Sequence, residues 1–406
     1  MSRFLFAWEL GLNLGHLTRL QPVALRLKTR GHQLLAAVRD TRSAATVFGP
    51  ADIPFVQAPY AALERRSYDQ SASYADVLLM QGWSDRTALW GLVSSWLNLF
   101  QLFKPDLVLV DHSPTALLAA RIAGIRRAQL GNGFELPPAT LPLPPFPGVA
   151  GASLDKAAES ERIVLQGINA VMRSFDVPEL VGLRDIFNMD AHLLATFPEL
   201  DHYGAREGAC YLGPVQSHTD CERVDWPPTS GARIFAYLRP DMANVDAILG
   251  GLALSGACIV CYAPGFTAER LGPFQRSHIR FVSKPVELES LIGSASACVY
   301  YGAAGTVARF LLAGVPQLLA PKYTEGYIAA CRIEQMGAGL VLRGEQTAES
   351  VAINLARLID DPHFKLCACA FADKYREFDS DVAAEHAASL LESVLKTAKQ
   401  RTPAAS

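Results

Sequence analysis

Short apolar runs alternate with longer amphipathic segments along the whole chain of 406 residues. Continuous apolar runs predict buried parallel strands, and intervening segments with apolar residues three or four apart predict helices. In the first half of the chain, the runs predict strands at residues 3–8, 33–38, 107–110 and 128–130. Helices are expected between or after them, at roughly 17–30, 76–103, 114–123 and 157–175.

Proline-rich residues interrupt this alternation near the middle of the chain, at 211–215 and 225–229, as is typical of a linker. A second alternating series follows, with strands predicted at 234–238, 258–262, 279–282, 297–300 and 317–320. We therefore expect a first domain at 1–210, a linker at 211–230 and a second domain at 231–380. A C-terminal helix and tail at 381–406 could pack back on the first domain.

Two successive series of strands and helices predict an α/β protein with two facing, doubly wound Rossmann-like domains. Ligands of such sheets bind beyond the carboxyl ends of the strands. The active site is therefore expected in the cleft between the domains.

Composition narrows the class of protein. Half of the residues are hydrophobic and 19% are charged, which favours a large buried core. The net charge of −3 gives no general attraction for nucleic acid, which we exclude as a partner. No apolar run reaches the ~20 residues of a membrane helix, and the chain starts directly with a strand. We expect no transmembrane segment, no signal peptide and a cytoplasmic location.

Neither cysteines nor acidic residues indicate a metal site. Cys258 and Cys261 lie in one predicted buried strand and face opposite ways, and no second pair follows at zinc-ribbon spacing. We expect all eight cysteines to be reduced core thiols. Asp379-Ser-Asp381 matches the metal-binding motif Asp-x-Asp, but it begins a predicted helix, where acidic residues act as caps. No metal or cofactor is expected.

A turn of small residues is the first candidate ligand site. The predicted strand 297–300 runs into Tyr301-Gly-Ala-Ala-Gly-Thr306, where a helix begins. A helix N-terminus carries unpaired N–H groups and about half a positive charge, so it attracts phosphate. Alone, such a glycine run also fits a helix cap that packs closely on a sheet.

This turn and the two segments after it resemble the nucleotide-sugar signature of family 1 glycosyltransferases, which include macrolide, glycopeptide and plant natural-product enzymes. Leu312-Ala-Gly-Val-Pro316 and residues 321–332 continue the signature, and the register holds from 301 to 339 without gaps. The resemblance implies the GT-B fold over nearly the whole chain and a UDP- or TDP-type sugar donor that needs no metal. Five positions depart from the signature: Tyr301 replaces His, Ala303 Gly, Glu325 Asp, Gly326 Gln and Ala329 Asn.

The resemblance also implies donor contacts. The β-phosphate would bind the backbone of the turn and the Thr306 hydroxyl, and the sugar hydroxyls would donate to Glu325. Arg239, after the predicted strand 234–238, either neutralises the leaving group or is a solvated loop arginine. Backbone groups around Val282 would read a pyrimidine, either uracil or thymine. The candidate donor-binding residues are Arg239, Val282, Tyr301, Gly302, Ala303, Ala304, Gly305, Thr306, Glu325 and Gly326.

The loop after the first strand, from Gly11 to Pro22, is similar to the family's Gly-His-x-x-Pro loop, whose His deprotonates the acceptor. His16 suits this task because an ordinary histidine pKa of about 6.5 leaves the ring mostly neutral near pH 7. Asp111 ends the predicted strand 107–110 and matches the aspartate that orients the family's His. A helix-capping role for His16 and a competing role for His112 remain open.

The acceptor is expected to bind the first domain. The long apolar loop 131–147, stiffened by prolines, either lines an acceptor pocket or packs against the domain's flank. Asn13 and Phe134 are the candidate acceptor-binding residues. A small-molecule or lipid-like acceptor, which could be apolar, is expected, and the sequence specifies neither its identity nor an oligomeric state.

The favoured hypothesis is an inverting glycosyltransferase in which His16 is the general base and Asp111 orients it. A non-catalytic GT-B relative that binds nucleotide sugar or activates a partner enzyme is an alternative, as is a sugar-nucleotide epimerase. A nicotinamide dehydrogenase is disfavoured, because Gly11 and Gly15 do not form Gly-x-Gly-x-x-Gly.

Overall fold

A computed structural model describes residues 1–11, 14–61, 71–217 and 221–399 of the chain. The chain divides into two compact units. The first unit comprises Met1–His218 and Asp379–Ser406, and the second comprises Thr219–Phe378. The first unit extends past residue 210, because its sheet includes a last strand, β7, at Cys210–Tyr211.

The first unit is built on a parallel sheet. Its strand order is β3-β2-β1-β4-β5-β6-β7, so the order reverses between β1 and β4. Its strands are β1 (Arg3–Trp8), β2 (Gln33–Val38), β3 (Phe55–Gln57), β4 (Leu107–Val110), β5 (Arg126–Gly131), β6 (Ala191–Leu194) and β7 (Cys210–Tyr211). Such a reversal leaves a crevice at the carboxyl ends of the two strands, where ligands of doubly wound sheets bind.

Helices cover this sheet. They are α1 (Gly15–Thr29), α2 (Thr41–Val47), α3 (Tyr74–Met80), α4 (Arg86–Phe103), α5 (Pro114–Ile122) and α6 (Leu154–Ser174). The prediction of one helix over 76–103 is wrong, because the chain turns between α3 and α4. Gly82 has a φ of +78°, and the Asp85 carboxylate caps α4 by accepting the N–H groups of Thr87 and Ala88 at 2.9 and 3.1 Å.

The second unit repeats the design, with strand order β10-β9-β8-β11-β12-β13 and a reversal between β8 and β11. Its strands are β8 (Arg233–Tyr237), β9 (Cys258–Tyr262), β10 (Ile279–Val282), β11 (Ala297–Tyr300), β12 (Gln317–Leu319) and β13 (Gly339–Val341). Its helices are α7 (Val245–Ser255), α8 (Ala268–Leu271), α9 (Glu289–Ile292), α10 (Ala304–Leu312), α11 (Thr324–Gln335), α12 (Ala348–Asp360) and α13 (Pro362–Lys374). The predicted fold class, two doubly wound parallel-sheet domains, is confirmed.

The expected linker does not stand apart from the two units. Residues 211–217 belong to the first, and Glu222 pairs through its backbone with Pro285 and Glu287 of the second.

The expectation that all eight cysteines are core thiols is wrong in part. Cys258, Cys261 and Cys298 are buried free thiols, whereas Cys221 is exposed.

The last helix, α14 (Ser380–Lys399), belongs to the first unit. The Asp379 carboxylate accepts the N–H groups of Asp381 and Val382, at 2.7 and 3.1 Å. The Asp-Ser-Asp segment therefore caps a helix, as expected. Ion pairs join α14 to α1 and the start of β2. Arg30 donates to Glu392 at 2.8 Å, and His32 lies 2.8 Å from the same carboxylate. None of the described helices is long and apolar enough to span a bilayer.

Candidate functional site

His16 and Asp111 lie at the strand reversal of the first unit. His16 is in the first turn of α1, which follows β1, and Asp111 follows β4 directly. Because β1 and β4 are paired and parallel, both residues reach the same edge of the sheet. Nδ1 of His16 lies 3.0 Å from Oδ1 of Asp111. An N–H donated from Nδ1 to the carboxylate makes Nε2 the basic nitrogen of the neutral ring.

The Asp111 carboxylate is held in its charged form. Its side chain is completely buried, and Oδ1 also accepts a hydrogen bond from Nη1 of Arg19 at 2.9 Å. Burial by itself raises the pKa of Asp111, but the charges of Arg19 and His16 and the His16 hydrogen bond more than offset it. The pKa therefore lies below its ordinary value, and Asp111 is an anion that can stabilise an imidazolium.

Arg19 is a site residue that the sequence analysis missed. Its Nη1 also donates to Oε1 of Glu135 at 3.1 Å, and both partners are buried. The position of Arg19, three residues after His16 on one helix, places the two side chains on the same face and was a usable signal. Glu135 is 116 residues away in sequence, and no spacing rule connects it to Arg19.

Two neighbours confine the His16 ring. The Trp8 ring stacks on it, with centroids 5.3 Å apart and an interplanar angle of 20°. On another side, the backbone of Gly11 comes so close that a Cβ atom there would overlap Nε2 of His16. The φ of +91° at Gly11 also favours glycine. The imidazole is therefore held by its surroundings as well as by Asp111.

His112 lies beside the pair formed by His16 and Asp111. Its backbone has a φ of +47°, and its carbonyl accepts the Leu10 N–H at 3.0 Å. Its ring lies between those of His16 and Tyr74, at centroid distances of 6.1 and 6.0 Å. The contact to Asp111 is made by Nδ1 of His16, and the competing role of His112 stays open.

Glu9 is a second buried acid beside this site that the sequence analysis missed. It follows β1 and accepts hydrogen bonds from the Trp96 indole at 3.0 Å and from the Thr115 backbone N–H. Burial raises its pKa to about 7, although these hydrogen bonds oppose the shift. Glu9 thus ties the end of β1 to α4 and to the start of α5.

Phe134, one of the two candidate acceptor residues, follows β5 at the same edge of the sheet. It is buried in an aromatic cluster, stacked on Phe146 with centroids 5.0 Å apart and edge-on to His202 at 5.6 Å. The loop that carries it is anchored, because the Leu143 N–H donates to Glu161 at 2.6 Å. The other candidate, Asn13, lies outside the described residues.

The candidate phosphate site of the second unit is a close contact between two turns. Gly302 has a φ of +88°, and a Cβ atom there would lie 2.8 Å from the carbonyl oxygen of Gly326. A Cβ atom on Gly326 would lie 2.7 Å from the carbonyl oxygen of Tyr301. Gly326 is in the first turn of α11 and Gly302 leads into α10, so the positive ends of two helices meet here. The glycine that replaces the family's Gln thus has a packing role.

The first turn of α10 holds the remaining small residues of the signature. Ala303 is at the N-cap position and has no side-chain oxygen to cap the helix, so the first N–H groups of α10 depend on other acceptors. The half-buried residues of this turn are Ala303, Ala304, Gly305 and Thr306.

Tyr301 belongs to a tyrosine cluster at the carboxyl edge of the second sheet. Its ring packs edge-on against Tyr237 at 5.2 Å, and Tyr237 stacks on Tyr262 at 4.7 Å. Burial and the neighbouring Tyr237 raise the pKa of Tyr301 far above its ordinary value, so it is a neutral phenol. Tyr237 and Tyr262 were not predicted as site residues, because each lies within a predicted apolar strand.

Arg239 lies next to this cluster. Burial lowers its pKa, but a hydrogen bond with Tyr237 and the neighbouring Tyr301 and Asp241 more than offset the effect. Its Nε is 3.8 Å from Oδ1 of Asp241, which also pairs with Lys322. The loop after β8 therefore places a permanent positive charge beside the position where the family has an imidazole.

Two donor candidates occupy the ends of other elements. Glu325 is half-buried in the first turn of α11, within electrostatic reach of Tyr301. Val282 ends β10, and its carbonyl accepts the Ala263 N–H at 2.8 Å, so one lone pair of that oxygen is already used.

Within the described ranges, no group of three or more His, Cys, Asp or Glu residues is arranged to hold a metal ion.

The chain is similar to known glycosyltransferases. Residues 273–388 match the family of erythromycin biosynthesis protein CIII-like C-terminal domains. The chain is similar to the elloramycin glycosyltransferase ElmGT of Streptomyces olivaceus, with 36% identity over 99 residues, or 24% of this chain and 25% of ElmGT. A PGL/p-HBAD biosynthesis glycosyltransferase of Mycobacterium tuberculosis is 25% identical over 67% of each chain.

Solved structures support the fold. The glycosyltransferase VinC in complex with DTDP superposes with a TM-score of 0.70, over 97% of this chain and all of VinC, at 18% identity. The alignment with ElmGT spans a quarter of that relative's length, whereas the structural likeness extends over both units. The predicted fold is confirmed: both units have the doubly wound architecture of GT-B glycosyltransferases, and the match over residues 273–388 bears out the predicted resemblance to family 1 glycosyltransferases.

Proposed function

We propose that this protein is an inverting, metal-independent glycosyltransferase that moves a sugar from a UDP- or TDP-type donor to an acceptor nucleophile. The observation that carries the proposal is the 3.0 Å contact between His16 and the buried, charged Asp111. The names of ElmGT and of the VinC complex favour a TDP-type donor and a natural-product acceptor.

In the proposed reaction, Nε2 of His16 takes the proton of the acceptor hydroxyl. The acceptor oxygen attacks the anomeric carbon as the bond from that carbon to the diphosphate oxygen breaks, which inverts the anomeric centre. Asp111 stabilises the imidazolium that forms and keeps Nδ1 as its donor. General-base catalysis of this kind contributes roughly 10²- to 10⁴-fold to the rate.

The leaving diphosphate would bind the amino ends of α10 and α11, through the backbone of Gly302, Ala303, Ala304 and Gly305 and the Thr306 hydroxyl. Such helix ends bind phosphate without a metal. Arg239 would neutralise developing charge, and the neutral Tyr301 phenol would donate one hydrogen bond.

The rest of the donor would be read by residues at the ends of other elements. Glu325 and the Gly326 turn would contact the sugar, and the backbone near Val282 would contact the base. The acceptor would bind in the first unit near Phe134, whose aromatic cluster suits an apolar small molecule, and Asn13 remains a predicted acceptor contact. It also remains a prediction that His16 and the donor meet in a cleft between the domains.

Hydrolysis of TDP-glucose and UDP-glucose tests the proposal without a known acceptor, because water can replace the acceptor hydroxyl. We expect His16→Ala and Asp111→Asn to lower the rate at least about 100-fold. Binding of TDP or UDP, measured as a thermal shift, should persist in both variants. At a hundred times the dissociation constant, the ligand stabilises the protein by about 2.7 kcal/mol.

His32→Ala is a matched control, since His32 is also hydrogen-bonded to a carboxylate of the first unit but lies before β2, at the opposite edge of the sheet. It should retain wild-type hydrolysis. If His16→Ala also retained full activity while nucleotide still bound, the non-catalytic binding role would replace this proposal. A nucleotide panel with no thermal response would contradict the donor site itself.

A further inference from the structure

The buried charges around His16 form a chain of four groups. His16 and Arg19 both contact Oδ1 of Asp111, at 3.0 and 2.9 Å, and Arg19 also contacts Glu135 at 3.1 Å. Oδ2 of Asp111 is buried and accepts no hydrogen bond from the residues that the structure describes. His16 and Arg19 therefore share a single carboxylate oxygen, which has a lone pair for each.

Glu135 is fixed by its own surroundings. Its Oε1 accepts the Asn132 N–H at 3.1 Å, and its carbonyl accepts the amide of Gln129 at 2.9 Å. A Cβ atom on Gly131 would lie 2.5 Å from Oε1 of Glu135, so the strand end is shaped to fit this side chain. Glu135 thus anchors the far side of Arg19.

The charges of the chain balance only when the base is protonated. With neutral His16, one arginine and two carboxylates sum to −1, and the imidazolium brings the sum to zero. A buried unbalanced charge is costly, so this arrangement favours proton uptake by His16. Without Arg19 the sum would be −2, which would favour protonation of His16 still more.

We propose that Arg19 and Glu135 are positioning residues that act on His16 in opposite directions. Arg19 holds Asp111 in place and limits how strongly His16 binds a proton, and Glu135 offsets part of the Arg19 charge. The catalytic meaning of this inference rests on the proposed function, but the electrostatic coupling does not.

The other titratable groups around this site are retained in every comparison below. The His112 ring faces His16 at 6.1 Å, Tyr74 packs against His112 at 6.0 Å, and Glu9 follows β1. Because none of them is changed, a difference between variants reports on Arg19 or Glu135.

The direct test is an NMR titration of histidine rings in the full-length protein, with His16→Asn used to assign the His16 signal. Arg19→Met removes a positive charge and should raise the pKa of His16 by roughly one to two units. Glu135→Gln removes a negative charge but keeps an oxygen for Arg19 and Asn132. It should lower the pKa of His16, by roughly half a unit or more, since Glu135 acts from farther away.

Two further variants separate charge from folding. Arg19→Lys keeps the positive charge and should return the pKa of His16 most of the way to its wild-type value. Arg26→Met removes an arginine of the same helix that pairs with Asp381 at 2.7 Å, and it should leave the pKa of His16 unchanged. If Arg19→Met does not fold, Glu135→Gln and Arg19→Lys still decide the question.

Donor hydrolysis gives the catalytic readout. The acidic limb of the pH–rate profile should move to higher pH in Arg19→Met and to lower pH in Glu135→Gln, with the thermal response to TDP retained. A merely structural role would lower the rate at every pH without moving the limb.

The two proposals fail differently. An unmoved His16 pKa, or shifts of the same sign in both variants, would overturn the inference about Arg19 and Glu135. Opposite shifts in a protein that hydrolyses no donor at any pH would uphold the coupling and overturn the proposed glycosyltransferase activity.

Discussion

Gly11 shows how one residue without a side chain can shape a site. Its backbone lies against Nε2 of His16, and its φ of +91° is a conformation that other residues adopt at a cost. Gly31, in the turn between α1 and β2, has a similar φ of +81°, but a Cβ atom there would meet nothing within 4 Å. Substitutions at the two glycines therefore separate backbone strain from displacement of the His16 ring.

We predict that Gly11→Ala lowers donor hydrolysis at least about tenfold, because the new methyl group must displace the imidazole from its position beside Asp111. Gly31→Ala should leave hydrolysis unchanged. Both variants should lose roughly 1–2 kcal/mol of stability from backbone strain. Melting temperatures and hydrolysis rates measured side by side check this, and equal rates in the two variants would refute it.

At the scale of residues, the sequence allowed prediction of the groups that end strands and carry a family pattern. His16 and Asp111 were found in this way, since each follows an apolar strand of one parallel sheet. Arg19 and Glu135 were not, because a buried arginine reads as a solvated residue of an amphipathic helix. Only the fold shows that Arg19 meets carboxylates 92 and 116 residues away.

Among elements, the contact between the turns at Gly302 and Gly326 shapes the proposed donor site. From the sequence alone, Gly326 is a position where the Gln of the family signature has been lost. The structure shows instead that the amino end of α11 packs against the backbone of Tyr301 and Gly302, with no room for a Cβ atom. Restoring the family residue would therefore push apart the two helix ends that are proposed to hold the diphosphate.

We predict that Gly326→Ala and Gly326→Gln both weaken TDP binding at least about tenfold and lower the melting temperature, because the Tyr301 carbonyl must move. Gly293→Ala, in the same unit at the end of α9, meets nothing within 4 Å and should change neither quantity. Calorimetric titration with TDP measures the affinities. Tighter binding by Gly326→Gln would contradict this account of the turn.

The split between α3 and α4 shows where element prediction fails. Apolar residues continue at helical spacing through 76–103, so periodicity predicts one helix. Gly82 and the capping carboxylate of Asp85 override this periodicity. Tertiary packing also fixes the turn, because the Trp83 carbonyl lies so close to Gly167 of α6 that a Cβ atom on Gly167 would overlap it. Such contacts between distant segments are invisible to a local pattern.

On the scale of the whole molecule, the ion pairs between α14 and the rest of the first unit make the stability of the fold depend on pH. The hydrogen bond from His32 lowers the pKa of Glu392 below its ordinary value of 4.5, and the charge of Arg30 adds to the effect. A lowered carboxyl pKa stabilises the fold above the unfolded-state pKa, and this stability is lost as the pH falls through the folded-state pKa.

We therefore predict that Glu392→Gln lowers the melting temperature by about 2 °C at pH 7, and that the difference from wild type fades below pH ~4. Glu159→Gln removes an exposed carboxylate that pairs with Arg162 on α6 and should have no measurable effect. Thermal melts at several pH values between 3 and 7 test both. A deficit that stays constant down to pH 3 would argue against the titration of Glu392.

The return of the chain to the first unit has a consequence for biosynthesis. The second unit, Thr219–Phe378, is an insertion within the first, whose last helix is translated only after that insertion is complete. On the ribosome, the inserted sheet can finish folding while the helix face of α1 that receives α14 is still uncovered. The contacts between α1 and α14 therefore form later than those within the inserted unit.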